Sequence, residues 1–158
     1  MKMKTIIISI IILILIITIF FVLNKNNNKI TDIEYFNFHY TTGYHMNAYV
    51  IYNLEYKNNK YIASIKPNEI PDENAIKKEV DKSFVNNLKK ILIKYHVETW
   101  DGFKKYDKNV LDGNSFSLNA RMKNSKIESS GYMKWPKNYT EVKQELDKLF
   151  SKIYKQNN

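Results

Sequence analysis

No cysteine occurs among the 158 residues. Disulfides, thiolate metal sites, cysteine nucleophiles and acylation of a lipoprotein cysteine are therefore chemically excluded. Arginine is almost as scarce, Arg121 being the single one. Phosphate and base recognition favours the planar, forked guanidinium, so a chain that is basic through lysine argues against nucleic acid as a partner. Glycine and proline are few, at 4 and 3. No phosphate loop, no Gly-x-Ser-x-Gly elbow and no His-Glu-x-x-His pair is present. Nothing in the pattern calls for a cofactor, a metal or a known catalytic apparatus.

What the chain does have is one long apolar run, Ile6 to Leu23, 18 residues broken only by Ser9 and Thr18. Hydroxyls at those positions can bond back to a preceding carbonyl inside a helix. At about 1.5 Å per residue the run just reaches across a hydrocarbon core of roughly 30 Å. It is apolar all round, whereas a core helix keeps a polar stripe. The reading is an uncleaved transmembrane signal-anchor over 6–23, with a cytoplasmic tail at 1–5, a stalk at 24–32 and one folded domain at 33–158. Lys2 and Lys4 before the run favour a cytoplasmic N-terminus and an extracytoplasmic domain at the cell membrane. Secretion after signal cleavage is the alternative, although the run closes on Phe20, Phe21, Val22 and Leu23 rather than on the small residues a peptidase needs.

The formal charge is +9, from 25 Lys+Arg against 16 Asp+Glu. Such a balance suits anionic partners, among them wall polymers and lipid headgroups, and equally describes a lysine-rich solvated surface.

From Ile33 onward the apolar period is two. Phe36, Phe38 and Tyr40 alternate with Asn37 and His39, and Ala48 to Tyr56 alternates in the same way, giving two strands. Lys57-Asn58-Asn59-Lys60 is turn chemistry, because Asn tolerates the left-handed conformation. Tyr61 to Lys66 makes a third strand, stopped by Pro67 and Pro71. Asp72 and Glu73 then open an amphipathic helix to Tyr95, with Ile76, Val80, Phe84, Leu88, Ile91 and Leu92 at spacings of three and four. Phe116 to Met122 and Ile127 to Tyr132 form a hairpin. Asn138 with Glu141 resembles a capping box ahead of a last helix carrying Val142, Leu146, Leu149, Phe150 and Ile153. The expected fold is α+β: an antiparallel sheet in the order βββ-α-ββ-α, covered on one face by two helices.

Three segments concentrate aromatic, acidic and glycine residues: Trp100-Asp101-Gly102-Phe103, Leu111-Asp112-Gly113 through Leu118, and Gly131-Tyr132-Met133-Lys134-Trp135-Pro136. They resemble a family of small bacterial domains without an established activity, which read approximately Trp-x-Gly-Phe, Asp-Gly-x-x-Trp-x-Leu and Gly-x-Asn-x-Tyr-Pro before a last helix. Phe116, Met133 and Trp135 stand here for that pattern's Trp, Asn and Tyr. The resemblance implies no catalytic residue. Read physically, these residues serve architecture, or else Trp100, Tyr132 and Trp135 stack on a sugar or extended polymer while Asp101 and Asp112 orient its hydroxyls.

His39, His45 and His96 match no metal-ligand spacing. The functional expectation is a non-catalytic binding module at the bacterial envelope, contacting a wall polymer or an envelope protein. An acid/base hydrolase using Asp101 or Asp112 with a histidine, and a lysine-dependent binder of anionic polymers, are the alternatives.

Overall fold

The computed structural model describes residues 10–19, 30–41, 49–67 and 75–155. Helix α1, residues 10–19, is the described part of the apolar run, and its side chains are exposed. Thr18 donates its hydroxyl back to the carbonyls of Ile14 and Leu15, at 3.0 and 2.9 Å. No helix among the described residues is long and apolar enough to cross a membrane. The transmembrane signal-anchor reading of 6–23 is corrected accordingly.

The domain is α+β, yet its sheet departs from the expected five antiparallel strands. Among the described residues seven strands lie in the order β4-β3-β2-β1-β6-β7-β5. They are β1 (Ile33–Thr41), β2 (Tyr49–Lys57), β3 (Lys60–Pro67), β4 (Ile76–Val80), β5 (Lys104–Tyr106), β6 (Ser115–Met122) and β7 (Ser125–Tyr132). Neighbours are antiparallel except β5, which runs parallel to β7, so the sheet is mixed. Helices α2 (Lys82–Lys94) and α3 (Tyr139–Lys155) complete the order.

Both additional strands have a physical reason. Ile76 and Val80 fit a helical stripe with Phe84, but Ile76, Lys78 and Val80 also alternate, and pairing with Ile65, Ala63 and Tyr61 of β3 satisfies that backbone. The helix starts instead behind Asp81, whose carboxylate accepts from the Phe84 amide at 2.9 Å. Asp72 and Glu73 lie outside the described residues. Strand β5 is three residues of exposed Lys and Tyr, too short and too polar to leave a periodic signal.

The sheet's inner face packs on α2 and α3. Phe36, Phe38, Leu54, Ala63, Leu118, Ala120 and Ile127 meet Leu88 and Leu92 of α2 and Val142, Leu146, Leu149, Phe150 and Ile153 of α3. One polar cluster is set into this layer. Asp147 of α3 accepts from the hydroxyls of Tyr52 (2.7 Å) and Tyr40 (3.2 Å) and pairs with Lys143 at 2.8 Å. Burial holds both tyrosines well above their ordinary pKa, so they remain neutral donors. Asn138 does not act as the expected capping-box residue: its backbone is left-handed at φ 63, and its carboxamide donates to the Tyr95 carbonyl, tying the start of α3 to the end of α2.

Candidate functional site

Because side chains alternate along a strand, packing one face of the sheet on helices leaves every second residue on the other. The strand register then fixes what lines up across that open face. Asn37 of β1 faces Asn53 of β2 on one side and Asn119 of β6 on the other. Ser64 of β3 and Lys77 of β4 extend this row at one end, Glu128 of β7 at the other. The next row runs through Ile51, His39 and Ser117, and the one beyond it through Tyr49, Thr41, Ser115 and Tyr132. On the opposite flank Glu55, Tyr35 and Arg121 align, with the Arg121 guanidinium 5.9 Å from the Tyr35 ring centre. The result is an amide and hydroxyl strip bordered by tyrosines.

Asparagine is depleted in strands because its carboxamide competes with the ladder for backbone hydrogen bonds. Three in register on three central strands oppose local propensity, and such conflicts concentrate at functional sites. Two atoms on this face add to the anomaly. Asn53 Oδ1 and His39 Nε2 are buried and have no hydrogen-bond partner among the described residues. Native structures pair the large majority of such atoms.

His39 also meets the edge of the Tyr49 ring, 5.4 Å between centres. Burial lowers its pKa below the ordinary 6.5. The folded state thus binds the proton less well than the unfolded chain. The stability that His39 contributes is complete above pH 6.5 and is lost as pH falls toward the lower folded value. A thermal melt series from pH 7.5 to 5 on wild type and His39→Gln checks this: the wild type's midpoint falls more steeply. Parallel curves would overturn it.

The residues nominated from sequence are placed at the β7 end of the molecule and differ in accessibility. Trp100 is 1% exposed, donates its indole N–H to the Lys137 carbonyl at 3.0 Å and packs against Phe116, so neither ring face is open. Asp101 accepts from the Glu128 amide at 3.1 Å, fastening the 3-10 turn Val97–Trp100 to β7. Tyr132 lies on the open face, stacks on Tyr106 at 4.8 Å and donates to the Leu111 carbonyl at 2.7 Å. Asp112 is exposed in the loop beside it. Trp135 is 38% exposed and stacks on Tyr139 at 4.5 Å. Tyr132 is thus the one nominated residue that the register places on the polar strip. Met133 sits at φ 52, a left-handed conformation uncommon for Met.

His96 is paired with the buried carboxylate of Glu98 at 3.2 Å, and His45 lies outside the described residues. Among the described residues no three His, Asp or Glu side chains converge as a metal site. Asn37, Asn53 and Asn119 each occupy the polar position of an alternating strand. Their alignment is a property of register, which no single strand displays. The chain matches no protein-family model and no curated protein at a significant level.

Proposed function

We propose that this protein is a non-catalytic binding module of the bacterial cell envelope, and that its open sheet face holds an extended wall glycan. The observation that carries the reading is the row of Asn37, Asn53 and Asn119 across three adjacent strands. A carboxamide presents a donor and an acceptor side by side, which matches a pair of neighbouring sugar hydroxyls. Strands lie about 4.8 Å apart, so the three carboxamides cover about 10 Å of ligand. Tyr35 and Tyr49 border the strip, each with a cationic side chain over its ring, Arg121 at 5.9 Å and Lys66 at 5.3 Å from the ring centres. Glu128 and Lys77 close the row with charges of opposite sign.

The hydrolase alternative finds less support in the geometry. Asp101 is committed to a backbone amide and His96 to Glu98. Co-sedimentation of the full chain with purified wall material tests the proposal. Wild type is expected to pellet saturably, and Asn53→Ala with Asn119→Ala to weaken binding at least about tenfold, the equivalent of ~1.4 kcal/mol. Absence of wild-type binding, or equal binding by the double variant, would sink it.

A further inference from the structure

The connection between β5 and β6 forms a rigid, exposed tip. The Asp107 amide donates to the Tyr132 carbonyl at 3.1 Å, the Asn109 amide to the Asp107 carboxylate at 3.1 Å, and the Met133 amide to the Asn114 carbonyl at 2.9 Å. Lys134 bridges to Asp107 at 3.1 Å. These bonds, with that from Tyr132 to Leu111, hold the tip against the β7 end. Held in that way, Leu111 is 94% exposed. Tyr106 beside it is 62% exposed, and Trp135 follows Lys134 at 38%. Outside α1, these are three of the four large apolar side chains exposed among the described residues. Lys104, Lys105, Lys108 and Lys134 flank these residues in the chain, against Asp107, which pairs with Lys134, and Asp112.

A single exposed leucine needs no explanation, but an aliphatic tip with a tyrosine and lysines beside it has the layering of a bilayer interface. The aliphatic group suits the acyl boundary, amphipathic rings suit the headgroup level, and ammonium groups on flexible stems suit anionic phosphates. We propose that the loop at residues 107–114, with Leu111 at its tip and Tyr106 beside it, docks on an anionic lipid surface. This contact is independent of the polar strip and orients it: the tip lies at the Thr41 end of the sheet, so the Asn row stands off the lipid surface. Charge decides for lipid over a second copy of the chain, since two surfaces with the same lysine excess repel each other.

The absence of cysteine allows one reporter per molecule. An environment-sensitive fluorophore is attached to Asn109→Cys in the full chain, and to Lys57→Cys at the far hairpin as the control. Exposed apolar side chains of residues 10–19 can adsorb to lipid on their own, so local emission is read rather than sedimentation. With phosphatidylcholine vesicles containing phosphatidylglycerol, emission at position 109 is expected to rise about threefold, and to lose most of that rise with phosphatidylcholine alone. Leu111→Asp is expected to weaken the response about tenfold, and position 57 to stay unchanged. An unresponsive position 109, or an unaltered response in Leu111→Asp, overturns the proposal. A response to purified wall polymer without vesicles, or one that rises with protein concentration alone, also overturns it.

Discussion

Phe150→Ala is expected to cost about 4 kcal/mol of folding stability. The ring is fully buried and joins three elements at once. It stacks on Tyr52 of β2 at 4.7 Å, lies 6.3 Å from Phe36 of β1, and meets Phe84 of α2 edge-on at 5.3 Å. Truncation removes the aromatic contacts and leaves a cavity that neither sheet nor helix can close without disturbing the Tyr52–Asp147 bond one turn away. Against a typical total of about 5–15 kcal/mol the loss is severe. Urea unfolding should show a much lower midpoint with an unchanged slope. Phe150→Leu, which keeps most of the volume, should lose about 1.5 kcal/mol. A loss below about 1 kcal/mol for Phe150→Ala would mean that α3 does not rely on this contact.

Gly131→Ala is expected to cost about 3 kcal/mol, at the upper end for overpacking by a single methyl group. A methyl at that position would overlap the Lys134 carbonyl oxygen and come within 2.6 Å of the Phe116 ring. The first obstacle is backbone in a tight reversal and cannot rotate away. The second sits amid Trp100, Phe103, Trp135 and Tyr139, whose rings pack around Phe116. Among the described glycines only Gly102 has a positive φ. At Gly131 the need is space. Gly113→Ala gives the comparison: its nearest neighbours are Cγ and Sδ of Met133, an unbranched side chain rather than backbone, and a loss of about 1 kcal/mol is expected. Thermal melts of both variants check the pair, and equal losses would contradict the assignment.

Burial by alternation was legible residue by residue. Phe36, Phe38 and Tyr40 point inward as their spacing requires, and Leu118, Ala120 and Met122 do the same. The turn Asn58-Asn59 adopts φ of 53 and 62, the left-handed geometry for which those residue types are suited. Each of these features follows from a few neighbouring residues. Where two local patterns competed, sequence could not choose. Ile76 to Val80 satisfied both a helical stripe and an alternating strand, and the free edge of β3 decided for the strand.

The fate of the aromatic residues shows the same division. Composition marked Trp100, Tyr132 and Trp135 as large apolar surface near glycines, but not which would be covered. Trp100 is enclosed because the 3-10 turn carries it under Phe116 and gives its indole N–H a carbonyl. Trp135, just before Pro136, keeps part of its ring in solvent.

By itself the sequence determined the absence of thiol chemistry, the basic charge balance, the α+β class and which side of β1, β2 and β6 is polar. Those are properties of composition and of short-range period. Only the tertiary structure decided that two short segments join the sheet, and that Asn37, Asn53 and Asn119 share one row. Register is set by pairing between residues far apart in the chain. One residue of slip would turn every outward side chain inward.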